Sequence, residues 1–334
     1  MDQNLLSVLT REGVLIKVSV SYWRGHKKLK AEDLGLEQKN VSERLISLGH
    51  KRLLPKEALS ELALIEGRAH ALIEQNTFPF LNGLGHFLPN SKLDEATAKL
   101  EELEAEFWKA KENFLNKYSS LRIKAAREWK TMAEKLVKDP DRLVAAIEAS
   151  FPFPQHMNRY YGFEKHLFQI ALPKHLSAEL VSASEQQAVI EARQKAAQQA
   201  AMKIRTDVEV FVADCVSSLR EQTAQLCDEM LKSINGSETG VHQKTLNRLV
   251  KFIDQFKSMN FVNDTTMEQQ LENVKKELLS KTAEEYRDSA VARARLKGGL
   301  SQLANQARQL AKQDASELVQ RFGSIGRRKF NLAA

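Results

Sequence analysis

Residues 92–138 read KLDEATAKLEELEAEFWKAKENFLNKYSSLRIKAAREWKTMAEKLVK. Leu93, Leu100, Phe107, Phe114 and Leu121 recur at steps of seven. Ala96, Leu103 and Ala110 fill the complementary seam, which lapses at Lys117 beside Tyr118. A sevenfold apolar repeat with charges between predicts a long helix carrying a coiled-coil-like stripe. Ser91 can cap its start, Asp94 and Glu95 suit the positive end of its dipole, and Asp139-Pro140 stops it. Such a helix spans roughly 65–70 Å. Trp129 and Met132 are expected to continue the stripe after a four-residue shift.

Working outward toward the N-terminus, residues 14–23, VLIKVSVSYW, alternate. Val14, Ile16, Val18, Val20 and Tyr22 fall on one face, and Lys17, Ser19 and Ser21 on the other. Period two with β-branched residues predicts a strand with one buried face. A strand needs partners, and two segments qualify. Residues 77–88 hold Asn82-Gly83 between apolar flanks, a hairpin signal. Residues 166–172 alternate Phe168, Ile170 and Leu172 before Pro173. Between the first two lies an amphipathic helix, 55–75.

Toward the C-terminus, Phe151 to Gly162 is an aromatic connector in which two prolines forbid a helix. Long helices follow over about 177–234, 241–258 and 265–322. Asn235-Gly236 closes the first, and Gly298-Gly299 is a candidate kink in the last. The expected fold is mainly α. A small α+β head occupies 1–91, with a three- to four-stranded sheet completed by 166–172. An extended bundle of long antiparallel helices covers 92–322, and a flexible basic tail covers 323–334.

The chain is 43% hydrophobic and 28% charged, so it can build a core and is not a disordered polymer. Gly and Pro, at 14 and 7, are too scarce for a turn-rich all-β fold. No run of 18 apolar residues exists, so no membrane span is expected. The first residues lack the pattern of a secretory signal. Cys215 and Cys227 would lie about 18 Å apart on one straight helix, too far for a disulfide. Reduced, apolar thiols fit the cytoplasm.

Net charge is +7, and all of it falls after residue 286, where ten Lys/Arg face three Asp/Glu. The body before it is neutral. Local positive excess attracts phosphate, anionic lipid or an acidic protein surface. The expected anion- or partner-binding set is Arg321, Phe322, Arg327, Arg328, Lys329 and Phe330, where charges interleave with rings between glycines. A second basic cluster, Arg24 to Lys30, follows Trp23, but Glu32 and Asp33 come directly after it. No catalytic, cofactor-binding or metal-binding set is expected. The eight histidines never fall four apart, and neither cysteine joins a zinc pattern. Gly83-Leu84-Gly85 lacks the lysine and helix start of a phosphate loop.

Three segments go beyond pattern. They are VSVSYWRGHKKLKAEDLGL at 18–36, LISLGHKRLLPKEALSEL at 45–62 and FPFLNGLGHFLPN at 78–90, with LVKFIDQFKSMNFVNDTTMEQQLENV at 249–274 alongside. Together they resemble an uncharacterised bacterial family found in phages, plasmids and integrative elements. The resemblance implies a setting: such proteins are often encoded near MoxR-like AAA+ ATPases and von Willebrand A-domain proteins. The expected function is a non-enzymatic scaffold or adaptor in a cytoplasmic, mobile-element-related complex with such an ATPase. The rival is a nucleic-acid-binding protein using the basic end. Self-association through the helices stays open.

Overall fold

The computed structural model describes residues 3–34, 47–169, 187–236, 240–313, 315 and 317–322. In chain order the elements are α1 (Gln3–Glu12), β1 (Gly13–Ser21), β2 (His26–Lys28), β3 (His50–Arg52), α2 (Ser60–Asn76), β4 (Phe78–Phe80), β5 (Gly85–Pro89), α3 (Asn90–Leu136) and α4 (Pro140–Ala149). Then come β6 (Gly162–Phe168), α5 (Gln187–Asn235), α6 (Gln243–Met259), α7 (Thr265–Leu278), α8 (Ala283–Asp288) and α9 (Ala290–Lys312). The fold is mainly α with a small N-terminal antiparallel sheet of four strands. Among the described residues no helix is long and apolar enough to cross a membrane.

The sheet runs β4-β5-β1-β6. β1 pairs with β5 from Gly13 opposite Pro89 to Ile16 opposite His86. β4 and β5 form the expected hairpin, with Phe78 opposite Phe87. A Cβ at Gly13 would collide with the Phe87 ring and the Leu88 carbonyl, so only glycine lets the strands pair there. β6 starts and stops earlier than 166–172. Its inward residue is Phe163, while Leu167 and Phe168 are exposed, as suits an edge strand. Residues 170–172 lie outside the described residues.

The chain divides into two compact units, neither contiguous in sequence. The first comprises 1–16, 76–94 and 167–334. In it α5 lies along α9, and Ser217, Arg220 and Asp228 of α5 meet Ala311, Leu310 and Arg308. One number climbs as the other falls, so the pair is antiparallel. The interface is thin: Ala224 and Cys227 of α5 and Ala304 and Ala307 of α9 are all buried. A buried ion pair closes it. Arg220 Nε donates to Asp264 Oδ2 at 2.7 Å and Nη1 to the Leu310 carbonyl at 2.6 Å, while Asp264 Oδ1 caps α7 through the Met267 N–H.

The expected single helix over 265–322 is several helices. Asp264 caps α7, a capping box of Thr282 and Glu285 opens α8, and Ser289 caps α9. Residues 317–322 form a further helical turn. Gly298-Gly299 does not break α9. A Cβ on Gly299 would strike Leu278 Cδ1, so the glycine admits a close approach of α7. The 177–186 portion of the long expected helix lies outside the described residues.

The second unit comprises 17–75 and 95–166. Here α3 buries Leu100, Leu103, Phe107, Ala110, Phe114 and Tyr118, the heptad stripe with Tyr118 replacing the lapse at Lys117. The stripe meets rings from strand ends and turns instead of a second long helix. Trp23 touches Phe114, Tyr118 and Phe151 at 5.7–6.2 Å, and Phe107 touches Phe163 at 5.8 Å. Side chains this large fill a mixed core more readily than a narrow helix seam. Beyond Leu121 the stripe passes to Ala125 and Ala133, and Met132 is exposed, contrary to expectation. Trp129 is half-buried, its indole N–H donating to the Arg52 carbonyl at 2.9 Å.

Candidate functional site

The basic end begins on α8 and α9. Part of its charge is already met: Arg308 pairs with Asp228, and Arg295 lies 3.8 Å from Glu277. Phe322 is 1% exposed, its ring 5.6 Å from that of Phe261. This ring therefore belongs to the core of the first unit and does not face a partner. Arg321, beside it, is exposed. Arg327, Arg328, Lys329 and Phe330 lie outside the described residues. The structure thus gives the basic end a fixed point of departure.

The second basic cluster gains a partner that the sequence reading missed. β2 pairs with β3 in an antiparallel ribbon, His26 opposite Arg52, Lys27 opposite Lys51 and Lys28 opposite His50. Residues directly opposite share a face. His26, Lys28, His50 and Arg52 therefore occupy one face, and all four are exposed. The His26 and His50 rings meet edge to face at 5.1 Å. Two further basic groups are tied to carboxylates. Lys51 is buried, 2.8 Å from Asp33. Arg24 stacks over Tyr22 at 4.0 Å and makes a two-pronged bond to Glu66, at 2.7 and 2.5 Å. That bond holds the Glu66 carboxyl below its ordinary range and the Arg24 guanidinium above its own. The signal for the ribbon was the basic tripeptide His50-Lys51-Arg52, too short to show a period.

A third feature lies wholly in the first unit. An open groove of about 450 Å³ separates α5 from β4 and the turn after it. Phe78, Phe211 and Cys215 form an apolar floor, and Asp207 and Asp214 stand on the α5 side. Leu81, on the opposite lip, has a φ of 41°, a left-handed backbone that branched side chains avoid. Burial pushes the Cys215 thiol well up and Cys227 to about 12. Both thiols therefore stay protonated near neutrality and behave as packing groups. No group of three His, Cys, Asp or Glu able to hold a metal occurs among the described residues.

The comparison with known families bears on all three features. The profile of a family described as "Protein of unknown function (DUF3150)" matches residues 10–305, most of the chain. The chain belongs to the DUF3150 family. The match covers the sheet, the ribbon, the groove and most of α9, so these are parts of the DUF3150 domain, while Arg321 and the tail fall beyond the matched residues. No curated protein and no solved structure is significantly similar to this DUF3150 chain.

Proposed function

We propose that this DUF3150 protein is a non-enzymatic helical adaptor in a phage- or mobile-element-related complex. Its partners are a MoxR-like AAA+ ATPase and a von Willebrand A-domain protein, gripped through the basic end. The observation that carries this reading is the burial of Phe322 on Phe261. It fixes where the basic segment leaves a helical frame, as an adaptor that presents a charged arm requires. Co-purification with the ATPase encoded beside it tests the reading. A stoichiometric complex that survives moderate salt is expected, and the absence of any complex would count against it.

The β2–β3 ribbon favours a second reading, nucleic-acid binding, because its exposed face gathers Lys28 and Arg52 with two imidazoles. Duplex DNA titrated at rising salt separates the two. A phosphate-bound complex weakens with a slope of about 0.9 per contact on a log–log plot, whereas a protein partner, which sheds no condensed counterion layer, gives a shallower slope.

A further inference from the structure

Two facts about the first unit meet at one place. The groove beside α5 carries carboxylates on an apolar floor. Asp207 and Asp214 are two helical turns apart, roughly 10 Å, and neither makes an ion pair or hydrogen bond among the described residues. Between them Val210 is 54% exposed, an apolar side chain left on the surface at the groove's edge. The Leu81 lip is held in a backbone conformation that a branched side chain adopts only under constraint, as happens where a surface is shaped for binding.

The second fact is where the chain leaves. Phe322 contacts Phe261, and Phe261 contacts Phe78 of the groove floor, each pair of rings 5.6 Å apart. Twelve residues follow, GSIGRRKFNLAA. Arg327 comes five residues after Phe322, a reach of about 17 Å at full extension. Three adjacent cations and then an aromatic ring match, in kind, a groove with two carboxylates and an apolar floor.

We propose that the groove between α5 and the β4–β5 turn is the docking site of the chain's own C-terminal segment. The cations of 327–329 pair with Asp207 and Asp214, and Phe330 covers the floor. The docking stands on the groove alone. Its consequence, that a partner must draw the segment out and so competes with the groove, rests on the function proposed above. Occupation of the groove then lowers partner affinity by the fraction of chains left undocked.

The test uses full-length protein and a fluorescent synthetic peptide of sequence GSIGRRKFNLAA. The receiving chain carries Arg327→Ala, Arg328→Ala and Lys329→Ala, which vacate its own groove. Peptide anisotropy should show binding to this chain, at least tenfold weaker binding to wild type, and at least tenfold weaker binding once Asp207→Asn and Asp214→Asn are added. Unchanged thermal melting confirms that these substitutions leave the fold intact. Equal binding to wild type and the vacated chain, or indifference to the aspartates, would overturn the proposal. So would a wild-type dimer in light scattering that the tail variant abolishes, since the segment would then dock on a second copy. Peptide docking as expected, in a protein that captures no ATPase, would support the groove assignment and count against the adaptor function alone.

Discussion

α3 and α5 are nearly equal in length, 47 and 49 residues, yet they bury their apolar faces differently. α3 presents Phe107, Phe114 and Tyr118 to rings drawn from the turn after β1, from β6 and from the turn after α4. α5 buries Val216, Ala224 and Cys227, and α9, which lies along it, buries Ala304 and Ala307. Period specifies the helix in both cases, while side-chain size selects the partner. Large rings call for a deep mixed core, and small residues let two helix axes approach.

The chain carries probes that report on each unit alone. Trp23, Trp108 and Trp129 all lie in the second unit, and Cys215 and Cys227 in the first. The largest effects should come from the two cores. Phe107→Ala should cost about 3–5 kcal/mol and lower the denaturant midpoint read by tryptophan fluorescence. Asp264→Ala strands Arg220 in the interior and should cost a similar amount, about 3–5 kcal/mol, read as faster alkylation of the two cysteines. If each substitution moved both probes equally, the separate construction of the units would be refuted.

Overpacking comes next. Gly299→Val pushes α7 off α9 through Leu278 and should cost about 1–3 kcal/mol, again on the cysteine probe. A neutral result would mean that α7 yields there without loss.

Two tyrosines sharpen the account of the aromatic core. Tyr118 Oη donates to the Pro152 carbonyl at 2.7 Å, whereas the buried Tyr161 Oη has no hydrogen-bond partner among the described residues. Tyr118→Phe should cost about 1 kcal/mol, and Tyr161→Phe should be neutral or stabilising. Equal losses would show that the two hydroxyls are alike. Alkali probes the same residues. Burial raises the Tyr118 pKa to about 12 and pushes Tyr161 higher still. For an acid raised by folding, stability is full below the unfolded value of about 10 and falls as pH rises toward the folded one. Fluorescence-detected stability should therefore decline from about pH 10 to 12, and a flat profile would contradict the assignment.

The sevenfold stripe and the alternation in β1 were legible because each repeats a local period, and the hairpin at Asn82-Gly83 because its turn is a local dipeptide signal. The fragmentation of 265–322 was legible too, in the T-x-x-E of Thr282 and Glu285, but the apolar spacing that runs on through it masks the breaks. The ribbon was not: β3 is three residues long and pairs across more than twenty residues. Nor was the burial of Phe322, which sits between Arg321 and Gly323 as a surface ring would. At the groove, Asp207 and Asp214 read as solvated helix positions until β4 and its turn are brought beside them. Burial of an isolated ring and convergence of distant segments are tertiary outcomes that no local window records.

The proposed adaptor would grip its partner through the cations beyond Phe322. Light scattering of the full chain mixed with a MoxR-like ATPase, for wild type and for the Arg327→Ala, Arg328→Ala, Lys329→Ala variant, tests it most directly. Coincident melting curves of the two proteins would separate loss of the grip from loss of the fold. The account predicts a stoichiometric complex with wild type and at least a tenfold weaker one with the variant. A variant that assembles as wild type does, or a wild type that ignores the ATPase and binds duplex DNA with a steep salt dependence, would contradict it.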